Sequence, residues 1–170
     1  MKNNFFILFL IVLGIILQVS GFPVLFSHGY FPSIVLVGVI AATIIWGFKQ
    51  TLLWIIVAGI IFDLATFGIV GKQVIVLVAV AYFVSFFSKR FLVENRGLGI
   101  ITIIFLVLLA TLIFKILIFL FAGDGRLIST PLFFLSFGKE AFFNLLMFFI
   151  IFHFLKKNAR SSLEKFSFSR

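Results

Sequence analysis

Residues 98–122 read LGIITIIFLVLLATLIFKILIFLFA, an apolar run broken by one ionisable side chain, Lys115. At about 1.5 Å per helical residue this run is roughly 37 Å long, more than the hydrocarbon core of a bilayer at about 30 Å. A helix in a soluble bundle must show one polar face to water, and this one has none, so its solvent is lipid. Working outward, similar runs lie at Phe5 to Val19, Phe31 to Phe48, Thr51 to Phe67, Gln73 to Phe87 and Ala141 to Leu155. The expected fold is therefore all-α: a compact bundle of six transmembrane helices in residues 1–155, followed by a basic tail in residues 156–170. Only Lys49 and Gln50 separate the second and third runs, and Gly68 to Lys72 the third and fourth, so both pairs should form tight hairpins.

The composition agrees. Of 170 residues 64% are hydrophobic and 11% charged, against about half and a quarter in a soluble domain. Six spans of about 20 residues leave too little chain for a separate catalytic or binding domain. The absence of cysteine excludes a disulfide framework, a thiol nucleophile and thiolate metal ligation. A net charge of +9 would suggest nucleic acid in a soluble chain, but here the cations stand between apolar runs and set topology. With a cytoplasmic N-terminus, Lys2, Lys49, Lys89, Arg90, Arg96, Lys156, Lys157, Arg160, Lys165 and Arg170 lie inside, and Lys72, Arg126 and Lys139 outside. That bias places both termini inside, which an even number of spans requires. The first run has the length of a signal peptide, but with five spans behind it an uncleaved helix is expected.

In the tail, Leu155, Ala159, Leu163 and Phe166 recur at near-helical spacing, with Lys156, Lys157, Arg160 and Lys165 between them. This pattern suits an amphipathic helix lying on the anionic inner leaflet. Ser161, Ser162, Ser167 and Ser169 are poor helix formers, so a frayed tail that simply obeys the positive-inside bias is the alternative reading.

Ionisable groups inside spans cost about 2.5–3.5 kcal/mol each at a helix centre and should avoid lipid. Asp63 in the third run and Lys115 in the fifth are such groups. Counted from the cytoplasmic ends they lie about 20 Å and about 25 Å up their helices, within reach of one another. The expectation is an intramembrane polar cluster of Asp63, Lys115 and Glu140, with Asp63 paired to Lys115 and Glu140 as the competing partner. The alternative has Lys115 snorkelling alone and Asp63 bonded to Thr66 or to backbone near Gly68. Gln18 and Asn144 should make hydrogen bonds between helices, and Gln73 stands at the edge of its span. His28 and His153 fall on opposite sides of the membrane and cannot share a metal. No cofactor, metal site or catalytic constellation is expected: there is no Ser–His pair or aspartate dyad in the spans, and Glu94 and Glu164 stand isolated.

Gly59 precedes Asp63 by four residues and so shares its helical face, which allows a neighbouring helix to approach closely beside the carboxylate. Gly68 and Gly71 permit the turn that follows. The segment Gly59-Ile60-Ile61-Phe62-Asp63-Leu64, then Gly71 and, in the next span, Ala81-Tyr82, resembles the G-x3-D-L-x6-G pattern and Tyr-bearing span of the MreD family of rod shape-determining proteins. Gln18, Pro23 and Pro32 fall where that family places similar residues, and Ser33 departs from the Asp or Asn often found after the proline. The resemblance implies a non-catalytic component of the bacterial inner membrane, acting in cell elongation and peptidoglycan synthesis. It implies association with the single-span protein MreC, and through it with MreB, RodA and a penicillin-binding transpeptidase. Gly59, Asp63, Gly68, Gly71 and Tyr82 would then form a face for helix packing or for a partner.

The competing class is a substrate-binding membrane subunit of an energy-coupling-factor vitamin transporter, also a six-helix protein of this size. Such subunits usually dock through an Ala-x3-Ala face on the first helix. Residues 5–19 hold no alanine and only Gly14 among small residues. The outer loops offer chiefly His28, Asp124 and Arg126 to grip a polar vitamin.

Overall fold

Every regular element among the described residues of the computed structural model, 2–25, 32–67, 69–94, 99–122 and 131–167, is a helix. Helix α1 (Lys2–Ile16) runs through a π-helical turn (Leu17–Gly21) into the short α2 (Phe22–Leu25). Then follow α3 (Ile34–Trp46), α4 (Phe48–Ala65), α5 (Lys72–Glu94), α6 (Gly99–Ala122) and α7 (Pro131–Ser167). Three stretches are long and apolar enough to cross a membrane: Phe48–Ala65, Ile100–Phe121 and Phe133–Lys156. Leu8–Val24, Ile34–Trp46 and Lys72–Ser88 are apolar but shorter.

Several boundaries differ from the reading of apolar runs. The second and third helices are parted at Gly47, whose φ of 83° is a backbone state that glycine adopts freely; Lys49 and Gln50 belong to the first turn of α4. The last helix starts ten residues before the apolar run at Ala141, at Pro131, a residue suited to the first helical position by its fixed φ and missing N–H. Lys139 and Glu140 therefore lie inside α7. The basic stretch from Lys156 continues the same helix without a break as far as Ser167. Charges ended the apolar runs, but they do not end helices, because backbone hydrogen bonding is indifferent to side-chain polarity at an aqueous end.

α3 is the central helix. It touches α1, α4, α5, α6 and α7, and Leu36, Val37, Ile40 and Ala41 are fully buried. Leu77, Val80, Ala81 and Val84 of α5, Val107 and Ala110 of α6 and Phe148 of α7 complete the core around it. The outer surface is just as apolar: Leu53, Ile75, Ile100, Phe105, Phe142 and Ile150 are all exposed. Such a continuous apolar exterior would be untenable in water. In lipid it costs nothing, but burying Leu against Leu then gains little, and cohesion must come from close packing and hydrogen bonds between helices.

Candidate functional site

Three polar devices hold the bundle, each joining different helices. The first joins α4 to α5. Asp63 lies two residues before the end of α4 and is 2% exposed. Its carboxylate reaches across the turn: Oδ2 accepts the Gly71 N–H at 2.7 Å, and both oxygens face the Gln73 N–H at 3.1 and 3.2 Å. Those amides open the first turn of α5 and have no partner within that helix. The Asp63 side chain thus caps the start of the next helix, placed where the helix dipole favours negative charge.

Gly59 explains how α5 comes close enough. A Cβ at that position would stand 2.8 Å from the Val74 Cα and 2.9 Å from its backbone nitrogen, so only glycine lets the two backbones meet. Gly71, at φ 98°, turns its N–H back toward the carboxylate. Thr66 closes the end of α4 by donating to the Phe62 carbonyl at 2.9 Å. Gly59, Asp63 and Gly71 therefore act inside the bundle, locking one hairpin. Gly68 lies outside the described residues. Tyr82 faces outward, 62% exposed, its ring edge-to-face with Phe48 at 5.8 Å.

The second device is an ion pair between α6 and α7. Lys115 Nζ lies 2.6 Å from Glu140 Oε2, with side chains 11% and 20% exposed. The ammonium also sits 5.8 Å over the Phe133 ring, and Phe133 packs edge-on against Phe119. Of the expected cluster, then, the structure brings together Lys115 and Glu140 and holds Asp63 apart, bonded to backbone. Depth along the bundle allowed the Asp63–Lys115 pair; the rotation of α4, which aims Asp63 at α5, does not. A charge swap tests the pair that forms. Lys115→Glu and Glu140→Lys should each lower stability by about 1–3 kcal/mol, because a half-buried charge loses its partner, and the double swap should recover most of it. Unfolding in detergent micelles reads this, and a double swap no better than either single change would refute the pairing.

The third device caps α3. That helix has 13 residues and is about 20 Å long, shorter than the roughly 30 Å hydrocarbon core of a bilayer. Ser33 precedes the helix but makes no side-chain cap of its own. Instead Gln18 Oε1 accepts the Val35 N–H at 3.0 Å and Asn144 Oδ1 accepts the Ser33 N–H at 2.7 Å. Gln18 Nε2 donates to Ser33 Oγ at 3.2 Å, Asn144 Nδ2 donates to Thr111 Oγ1 at 3.2 Å, and Thr111 donates to the Val107 carbonyl at 2.8 Å. Gln18, Ser33, Thr111 and Asn144 are all buried, and they tie the π-helical turn, α3, α6 and α7 at one point. The bonding of Gln18 and Asn144 between helices is the expected kind. Ser33 was marked only by its place after Pro32, and Thr111 carried no sequence signal, since single hydroxyls are common in membrane helices.

On the outside of the bundle, α1, α3, α4 and α7 enclose an apolar groove of about 360 Å³ lined by Gly14, Gly38, Trp46, Trp54, Met147 and Phe154, among others. A Cβ added at Gly38 would meet nothing within 4 Å, so this glycine keeps a space open where Gly59 closes one. Lys156 Nζ stands 5.8 Å over the Phe152 ring. The side chains of Lys157, Arg160 and Lys165, together with His28, Asp124 and Arg126, lie outside the described residues. Among the described residues no three His, Cys, Asp or Glu side chains gather as a metal site would require.

A model of the family described as rod shape-determining protein MreD matches residues 1–158 of the chain. No curated protein and no solved structure matches it.

Proposed function

This chain belongs to the MreD family of rod shape-determining proteins and takes part in rod shape determination; from that premise we propose that it is a non-catalytic scaffold of the cell-elongation complex. It sits in the bacterial inner membrane as a six-span bundle with both termini in the cytoplasm. It associates with the single-span protein MreC, and through it with MreB, RodA and a penicillin-binding transpeptidase. The family match over residues 1–158 carries this reading. The positive-inside distribution of cations supports the orientation. The capped N-terminus of α3 fits a bundle in lipid, because its amides find partners without water and a helix of 13 residues can then sit within the bundle's thickness.

In this reading the polar side chains Asp63, Gln18, Asn144, Lys115 and Glu140 hold the bundle in shape, and partners meet an apolar helix face. The groove beside Gly38 is the face best suited to a single partner helix, because a small residue allows close backbone approach in lipid. Gly38→Leu puts a side chain into the groove from a position where an added Cβ meets nothing within 4 Å. The expected result is an unfolding midpoint that does not fall, a more than tenfold loss of co-purified MreC from native membranes, and rounded cells. Full recovery of MreC with the Leu variant would place the partner elsewhere. Co-purification of transporter ATPases with a bound vitamin, in place of elongation proteins, would overturn the scaffold itself.

A further inference from the structure

Tyr82 is exposed and takes no part in the three devices that hold the bundle. It lines a cleft of about 490 Å³ between the first turn of α4 and the last turns of α5, together with Phe48, Lys49, Ser85, Phe86 and Arg90. Tyr82, Phe86 and Arg90 follow one another at four-residue steps and so share one face of α5, and Lys49 stands across from them at the start of α4. Both cations are exposed, and among the described residues neither has a carboxylate partner. The floor is aromatic: Tyr82 meets Phe48 edge-on at 5.8 Å and Phe86 meets Phe87 at 5.5 Å. A cleft lined by aromatic rings, a tyrosine and two cations with no carboxylate partner among the described residues matches a membrane–water boundary, where aromatic rings and snorkelling cations settle.

We propose that this cleft binds one anionic phospholipid, its phosphate held between Lys49 and Arg90 with the Tyr82 hydroxyl as a donor, and its acyl chains running down over Phe86 and Tyr82. The charge complementarity is local. Lys49 and Arg90 come from different helices and converge on one opening, whereas cations that only set topology need not converge. Guanidinium supports a two-point contact with phosphate that an ammonium alone does not. The site is independent of whether the chain is a scaffold, and it is distinct from the basic stretch after Leu155.

Native mass spectrometry of the full chain released from detergent tests this, with phosphatidylglycerol, phosphatidylcholine or inorganic phosphate added. One phosphatidylglycerol should be retained in preference to phosphatidylcholine, and it should survive neutralisation of the tail in a K156Q/K157Q/R160Q/K165Q variant. In that background K49Q/R90Q should weaken retention about 30-fold, at about fivefold per cation beside an anionic lipid, and Tyr82→Phe should weaken it less. Circular dichroism should show the same helicity and unfolding midpoint for the lipid-free variants. Equal retention of phosphatidylcholine, competition by inorganic phosphate at equal concentration, or retention unaffected by K49Q/R90Q would each overturn the proposal.

Discussion

Replacing Asp63 with alanine is expected to cost roughly 2–4 kcal/mol of stability in micelles, the largest loss from any single polar truncation in the bundle. The estimate follows from two amide donors, those of Gly71 and Gln73, left in a poorly hydrated turn at about 1–2 kcal/mol each. The dipole of α5 would also lose its counter-charge, for up to about 1 kcal/mol more at a partly buried terminus. Asp63→Asn separates the two contributions. Its carboxamide oxygen can still accept one amide but carries no charge, so about half of the loss should return. If Asp63 instead served a proton or ion pathway, alanine and asparagine would both leave the unfolding midpoint near its original value while abolishing function. A midpoint within about 0.5 kcal/mol of the original for the alanine variant, in the range of an indifferent surface change, would remove the capping role.

Gly59 should resist a large side chain as strongly, for a different physical reason. In an ordinary helix Gly→Ala gains about 1 kcal/mol from propensity. Here the new methyl would stand 2.8 Å from the Val74 Cα, and main chain cannot move aside as a flexible side chain can. Helices α4 and α5 must separate, at about 1–3 kcal/mol for overpacking, and the separation pulls Gly71 and Gln73 away from Asp63. The expected net effect is a loss of about 1–2 kcal/mol for Gly59→Ala and about 3–5 kcal/mol for Gly59→Leu. Since both positions act on the first turn of α5, Gly59→Leu combined with Asp63→Ala should cost clearly less than the two losses added together. Strict additivity in a double-mutant cycle would mean that the two residues do not form one device. Gly38→Leu is the matched control, because an added Cβ there meets nothing within 4 Å, whereas at Gly59 it meets main chain.

Gly59 and Gly71 show how the segment between them works. Read as G-x3-D-L-x6-G, its spacing is a folding instruction: one turn of helix between Gly59 and Asp63 sets both on the face toward α5. The interval to Gly71 is then the length of chain needed to bring the amide of the next helix back over the carboxylate. The sequence identified the residues and the shared face. Whether that face met a partner or the chain's own next helix depended on where α5 lay.

The amino-acid sequence by itself determined the solvent, the helical class and the family. Apolar runs of this length admit no other backbone in lipid, and the G-x3-D-L-x6-G segment with its Tyr-bearing span carried the resemblance. It also placed the polar residues that matter, because a buried Asp, Lys, Gln or Asn in hydrocarbon must find a partner. Only the tertiary structure decided which partner. In water, an amphipathic stripe marks the face of a helix that turns inward; helices that are apolar all round carry no such mark, so depth can be counted from sequence but rotation cannot. Asp63 and Lys115 lay at compatible depths and faced different helices. Lys139 and Glu140 stood just before the last apolar run, yet Glu140 joined Lys115 and the helix ran through both. Ser33 stood at a cap position and left the capping to Gln18 and Asn144 from two other helices.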